Sequence, residues 1–247
     1  MVGVVGGRPA RLALRLGDLR ARKILHMSDE RRAAQAGSFR LPVKRDARQR
    51  MNGYDLLDGL PPRHFGTILA DPPWLFKSNS AAKPGRNARR HYHCMTMEDI
   101  TALPVGDCAA DNAALFLWIT GPLLVLGAHL PIMKAWGFKP SGMGFVWIKL
   151  NQRAASLFIL KTDLFLGGGF TTRKNAEFCL IGKRGRSVRQ DAGIQEVIIE
   201  PRREHSRKPD EVYKRIERYA AGPHLELFGR QERPNWTVRG DEVGKFQ

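Results

Sequence analysis

Short, dense apolar runs separated by long polar or basic stretches set the elements this chain is predicted to form. Gly66 to Ala70 reads as a buried strand, bounded by a glycine and by Pro72-Pro73. Ala113 to Thr120, Gly144 to Lys149, Ala176 to Gly182, Glu196 to Glu200 and Leu225 to Phe228 repeat the pattern. Between them, Met97 to Leu103 predicts a short helix. Gly121-Pro122 opens a longer one to Trp136, with a kink expected at Pro131. Lys208 to Ala220 predicts a helix with Val212, Ile216 and Tyr219 inward and Ser206 or Asp210 as the cap. Strands alternating with helices argue an α/β protein with a mostly parallel, doubly wound sheet.

Three segments break the alternation. Residues 1–50 carry Arg8, Arg11, Arg15, Arg20, Arg22 and Lys23 among Leu and Ala, then a charged link. They read as a basic extension ahead of a compact domain at 51–247, touching a phosphate backbone or a partner, or simply solvated. A transit peptide is the lesser reading, because Asp18, Asp29 and Glu30 interrupt the basic run. Leu75 to Met95 is a long polar loop with Lys77, Lys83, Arg86, Arg89, Arg90 and Tyr92, a length that favours function over slack. Leu150 to Lys174 holds Gly167-Gly168-Gly169, which lacks dinucleotide spacing and reads as flexible loop.

Charge changes the picture. With 41 Lys and Arg against 24 Asp and Glu, the net charge is +17, which suits a polyanionic partner through phosphate contacts. A merely basic surface is the alternative. Cys94, Cys108 and Cys179 have no paired spacing, and His91 and His93 beside Cys94 lack a second cluster, so neither disulfides nor a metal site is expected. No apolar run reaches membrane-spanning length and no signal peptide is evident, giving the expectation of a cytoplasmic protein, nucleoid-associated if prokaryotic.

The candidate chemistry sits at Asp71-Pro72-Pro73-Trp74. Two prolines fix φ twice, so the chain leaves the first strand in one stiff conformation. The Asp71 carboxylate and the Pro72 carbonyl then converge on one donor group, with the Trp74 ring beside a flat substrate. An amino group on a planar base fits that cage. The bland alternative is a rigid turn with Trp74 filling core.

Four blocks read together: ADPPW at 70–74, FLWIT at 116–120, HSRKPDEVY at 205–213, and LELFGR with PNW at 225–236. They resemble the MT-A70-like adenine N6-methyltransferases, from about Gly53 to the C-terminus. The resemblance implies a Rossmann-like fold in permuted motif order, dependent on S-adenosyl-L-methionine. It implies that Asp71, Pro72, Pro73 and Trp74 are catalytic, with Asp71 also near the methionine amino group of the cofactor and Trp74 stacked on a flipped adenine. Lys208, after Ser206, would meet the cofactor carboxylate, and Arg230 with Asp241 and Glu242 the ribose. Lys77, Tyr92, Asn175 and Glu177 would face the substrate, with Tyr92 as the alternative stacking ring, and the basic loop 77–90 with residues 183–189 would hold the phosphates. Asp241 and Glu242 also read as solvated groups, and Glu177 as a surface group opening a strand. The family more often has Asn at position 241, and its insert before PNW is longer, which puts the ribose contacts in doubt. For the cofactor adenine only Asp55 or Asp58 is on offer. A stand-alone DNA enzyme is favoured because no RNA module is recognisable. RNA is the runner-up, then a non-catalytic nucleic-acid-binding partner of the same fold, with a homo- or heterodimer left open.

Overall fold

In the computed structural model, the described residues are 56–75, 94–153, 159–169 and 172–246. The basic extension, Asp55, and the loop holding Lys77 and Tyr92 lie outside them. The described residues form one seven-stranded sheet in the order β5-β3-β4-β2-β1-β6-β7. The strands are β1 (Phe65–Ala70), β2 (Ala109–Ile119), β3 (Lys139–Leu150), β4 (Ala176–Arg184), β5 (Val197–Pro201), β6 (His224–Leu227) and β7 (Trp236–Arg239). β1 lies parallel to both β2 and β6, and β3 to β5, while β4 runs antiparallel between β2 and β3. The sheet is therefore mostly parallel, as the alternation of strands and helices predicts.

Apolar residues fill both faces of the central strands. Ile68, Leu115 and Leu117 belong to one core, and Leu69, Phe116 and Trp118 to the other. That double burial is why these strands read as continuous apolar runs. The first core takes Ile100 from helix α1 (Met97–Ala102), Val105 from α2 (Val105–Cys108) and Met133 from α4 (His129–Ala135). The second takes Val212, Ile216 and Tyr219 from α5 (Asp210–Tyr219). Val212 and Ile216 are fully buried, worth about 1.5–3 kcal/mol each.

Three expectations are corrected. The single kinked helix from Gly121 is two helices, α3 (Gly121–Val125) and α4, parted at Gly127 in the left-handed region (φ 70°). Pro131 lies in the first turn of α4, where its missing N–H is not needed. Neither Ser206 nor Asp210 caps α5: its N-cap is Pro209, with no side-chain capping bond. The polar tail holds a strand, β7, entered through Asn235 in the left-handed region (φ 65°).

Candidate active site

The site grows from the end of β1. Asp71 N–H still donates to Leu227 of β6 (3.3 Å), after which the prolines end the ladder. Trp74 N–H donates back to the Pro72 carbonyl (2.8 Å), closing a three-residue turn around Pro73. The Pro73 carbonyl accepts from Met95 N–H (2.8 Å), which ties the turn to the segment ahead of α1. One lone pair of the Pro72 oxygen is thus used locally and a second remains. Trp74 packs into the first core. The residue is 5% exposed, and its indole N–H donates to the Trp118 carbonyl (3.1 Å).

Lys208 arrives from the segment ahead of α5. Ser206 takes a left-handed backbone (φ 67°), Arg207 bonds both Glu204 and Gln231, and Arg203 donates to the Lys208 carbonyl (2.6 Å). These restraints send the Lys208 side chain inward, where Nζ lies 2.5 Å from Asp71 Oδ2 and 5.1 Å from the Trp118 ring. Nζ is also 3.4 Å from Glu177 Oε2, and Lys149 bonds the other oxygen, Glu177 Oε1. Burial pushes the Lys208 ammonium down, but Asp71 and Glu177 outweigh it and raise its pKa. For Glu177 burial pushes up, and Lys208 and Lys149 bring it well below the usual carboxylate value. Asn175, half-buried, pairs its carbonyl with Lys149 N–H (2.8 Å) across the strands.

A pocket opens beside Asp71, with Ser206, Lys208, Glu226, Arg230 and Phe246 among its walls. β6 and β7 lead into the pocket through two glycines whose backbones lie close together: a side chain on Gly240 would strike the Gly229 carbonyl, and one on Gly229 would strike Val238. Past that contact, Arg230 Nε lies 3.1 Å from Glu242 Oε2, and Asp241 beside it is exposed. Phe228, also lining the pocket, shares the left-handed backbone of Ser206 (φ 65°). Side-chain-bearing residues in that region cluster where a structure is constrained for function.

The stretch Lys183 to Arg189 lies away from the pocket. Arg184 pairs with Ala113 at the start of β2, whereas Phe178 pairs with Ile119 at its end. Seven residues of strand separate Glu177 from Arg184, roughly 23 Å, so these cations lie at the other end of the sheet from the pocket. Arg184 itself donates to the Gly106 carbonyl (2.5 Å).

The order of elements and the residues at this corner invite comparison with known proteins, and the family model described as MT-A70 matches residues 65–242. The chain belongs to the MT-A70 family. It is 31% identical over 183 residues to the N(6)-adenosine-methyltransferase MT-A70-like protein of Drosophila melanogaster, covering 72% of this chain and 27% of that one. The catalytic subunit METTL3 of Homo sapiens is 30% identical over 183 residues, with 72% and 28% covered. The type II methyltransferase M.MunI of Mycoplasma sp. is 26% identical over 202 residues, with 74% and 80% covered. The match thus spans little more than a quarter of the N(6)-adenosine-methyltransferases and most of the type II enzyme. MT-A70 proteins so named are enzymes, and the fold here is the α/β Rossmann-like arrangement expected of them.

Among the described residues no helix is long and apolar enough to cross a membrane, and no cluster of His, Cys, Asp or Glu is arranged to hold a metal. Two charged residues at the site escaped sequence reasoning. Glu226 is the one charged residue of β6, only 7% exposed; Tyr213 donates to its Oε1 (2.7 Å), and Oε2 has no hydrogen-bond partner among the described residues. Burial, foremost, raises its pKa to about 7. Lys149 ends the apolar run of β3. For Glu226, an ionisable group inside an apolar strand was the available signal; Lys149, at a strand end, offered none of its own.

Proposed function

We propose that this protein transfers the methyl group of S-adenosyl-L-methionine to the 6-amino group of adenine in DNA. The observation that carries the reading is Asp71, fixed at the end of β1, sharing one pocket with Lys208 and Arg230. The donor set fits the cofactor. Lys208 suits its carboxylate and Asp71 its ammonium, with Ser206 in the same wall; Arg230, Glu242 and Asp241 suit a ribose diol, since a guanidinium forks and carboxylates accept from hydroxyls. The unpartnered Oε2 of buried Glu226 marks the same pocket as incomplete when empty.

When bound, the cofactor supplies an electrophilic sulfonium methyl. The protein's part is alignment. Asp71 Oδ and the remaining lone pair of the Pro72 carbonyl accept the amine hydrogens, which turns the nitrogen lone pair toward the methyl. Pro73 and Trp74 hold that corner rigid, and Glu177 and Asn175 line its approach; Lys77 and Tyr92, outside the described residues, are assigned to the substrate by the resemblance. In a duplex the base must first leave the stack, at a cost of a few kcal/mol.

DNA is preferred because the match takes in 80% of the type II methyltransferase. RNA is the second reading, favoured by the N(6)-adenosine-methyltransferase relatives. A non-catalytic nucleic-acid-binding partner ranks below both, since Asp71 is present. Incubation with methyl-labelled cofactor and separate single- and double-stranded DNA and RNA, followed by nucleoside analysis, decides. Label in N6-methyl-2′-deoxyadenosine is expected. Label only from RNA would move the substrate, and no label with no cofactor binding would leave a binding module.

A further inference from the structure

Four charges of alternating sign run away from the pocket: Asp71, Lys208, Glu177, Lys149. They come from four places in the chain, namely the end of β1, the segment ahead of α5, β4 and β3. Their side chains are 27%, 8%, 29% and 19% exposed, so solvent screens the row only in part. Lys149 is not among the pocket's walls. Its ammonium sits 5.0 Å from the ring of Trp147, whose own indole N–H is tied to the Glu200 carbonyl (3.0 Å). Trp147 stands directly opposite Glu177 across the two strands, and Lys149, two residues on, reaches Glu177 along the diagonal.

We propose that Lys149 is a positioning residue for the donor site: it holds one oxygen of Glu177, so that the other anchors Lys208 while Lys208 exchanges Asp71 for the carboxylate of the methyl donor. The proposal rests on the functional reading above and extends it to a residue that touches neither donor nor substrate.

The reasoning is electrostatic. With Lys149 present the four groups sum to zero. Remove it, and two carboxylates share one ammonium in a partly desolvated cleft, where like charges oppose each other strongly. Glu177 then either draws Lys208 from 3.4 Å into full contact, away from Asp71, or takes up a proton. An incoming donor carboxylate would meet a lysine already claimed. With Lys149 in place, the zwitterionic end of the donor extends the alternation instead: its ammonium meets Asp71 and its carboxylate meets Lys208. Two other ionisable groups feel the same row, Glu226 on β6 and Cys179 on β4, through Asp71 and Lys208. Neither bonds Glu177, and the depressed pKa of Glu177 follows from its two lysines against the effect of burial.

The test uses the full chain with Lys149→Met, Lys149→Arg and the double variant Lys149→Met/Glu177→Gln, each checked for folding by circular dichroism. Carbon-13 NMR follows the Glu177 carboxylate without donor, and calorimetry follows S-adenosylmethionine binding from about pH 5 to about pH 8. In the wild-type protein Glu177 titrates well below its ordinary value, at about 2. In Lys149→Met its midpoint rises by about three units or more, into the range of the calorimetry, and donor affinity falls about tenfold near pH 8, recovering as pH is lowered. Lys149→Arg behaves as wild type, and the double variant binds more tightly than Lys149→Met. A loss that is the same at every pH and unrelieved by Glu177→Gln would reduce Lys149 to a structural strut and overturn the proposal. So would an unmoved Glu177 titration. Failure of the wild-type protein to bind the donor sinks the functional reading instead, and the Glu177 titration still judges the role of Lys149.

Discussion

Lys208 Nζ lies 2.5 Å from Asp71 Oδ2, joining a residue at the end of the first strand to one 137 positions later. The pair is intelligible from both sides. β1 delivers Asp71 at a proline-locked corner, and the Ser206 turn with the Arg203 clamp delivers Lys208 to the same point. Two chemically opposite groups are thereby stored against each other at the mouth of a pocket.

Lys208→Met should therefore do two kinds of damage. It strands the Asp71 and Glu177 carboxylates in a poorly solvated place, which for a buried pair costs about 3 kcal/mol. Denaturant unfolding at neutral pH checks that loss, and calorimetry should find donor binding weakened at least tenfold, the scale of one close charge pair. The pH dependence has a defined sign. Glu177 is depressed below its ordinary value of 4.5, so its contribution is present above 4.5 and is lost as pH falls toward the folded value. Lys208 is raised above 10.5, so its contribution is present below 10.5 and is lost at higher pH. Between those limits the wild-type protein should show no slope from this row, and Lys208→Met should introduce one.

Trp74 allows a cleaner separation of core from chemistry. Its ring is buried and its N–H is bonded to the Trp118 carbonyl, so Trp74→Ala should cost about 3–5 kcal/mol by opening a cavity. Trp74→Phe keeps most of the volume and removes the hydrogen bond, at about 1 kcal/mol. Thermal unfolding measures both. If the ring's main work is to brace the turn, Trp74→Phe keeps its affinity for adenine-containing oligonucleotides. A large affinity loss in a stable Trp74→Phe variant would instead make the ring a stacking platform.

Gly240 gives a third test. A Cβ there would run into the Gly229 carbonyl, backbone against backbone, where neither side can yield as a flexible side chain would. Gly240→Ala should push β6 and β7 apart, costing about 1–3 kcal/mol. Because Arg230 and Glu242 follow directly on either side of this contact, donor binding should fall as well. Differential scanning fluorimetry with and without donor reads both effects.

Sequence reasoning reached the elements whose signal is local. The strand before Asp71, its proline corner, the inner face of α5 and the glycine after β6 each declare themselves within a few residues. β7 did not: Thr237, Val238 and Arg239 are half-buried, and only parallel pairing with β6 makes them a strand. The break at Gly127 was hidden by Pro131, which looks disruptive but sits where a helix tolerates proline. Lys149 was missed for a different reason. A lysine at the end of an apolar strand is ordinary, and its meaning comes from Glu177 on a strand 28 positions away. The residues of the loop holding Lys77 and Tyr92 lie outside the described structure, so their placement rests on sequence alone.

Glu226 supplies the last prediction, and its sign is opposite to that of Glu177. Burial raises its pKa from 4.5 to about 7, so the folded protein holds a proton that the unfolded chain releases between those values. A raised carboxyl pKa means that stability falls as pH climbs from about 4.5 to about 7, and the full penalty is present above that range. Glu226→Gln keeps an acceptor for the Tyr213 hydroxyl and removes the charge. It should raise stability at pH 8 by on the order of 2 kcal/mol and leave it nearly unchanged at pH 4. Urea unfolding across that range checks the slope. A penalty carried for this one group implies a use for its unpartnered Oε2 in the pocket, so the same stabilised variant should bind the donor less well. Equal or better donor binding would assign Glu226 to the scaffold alone.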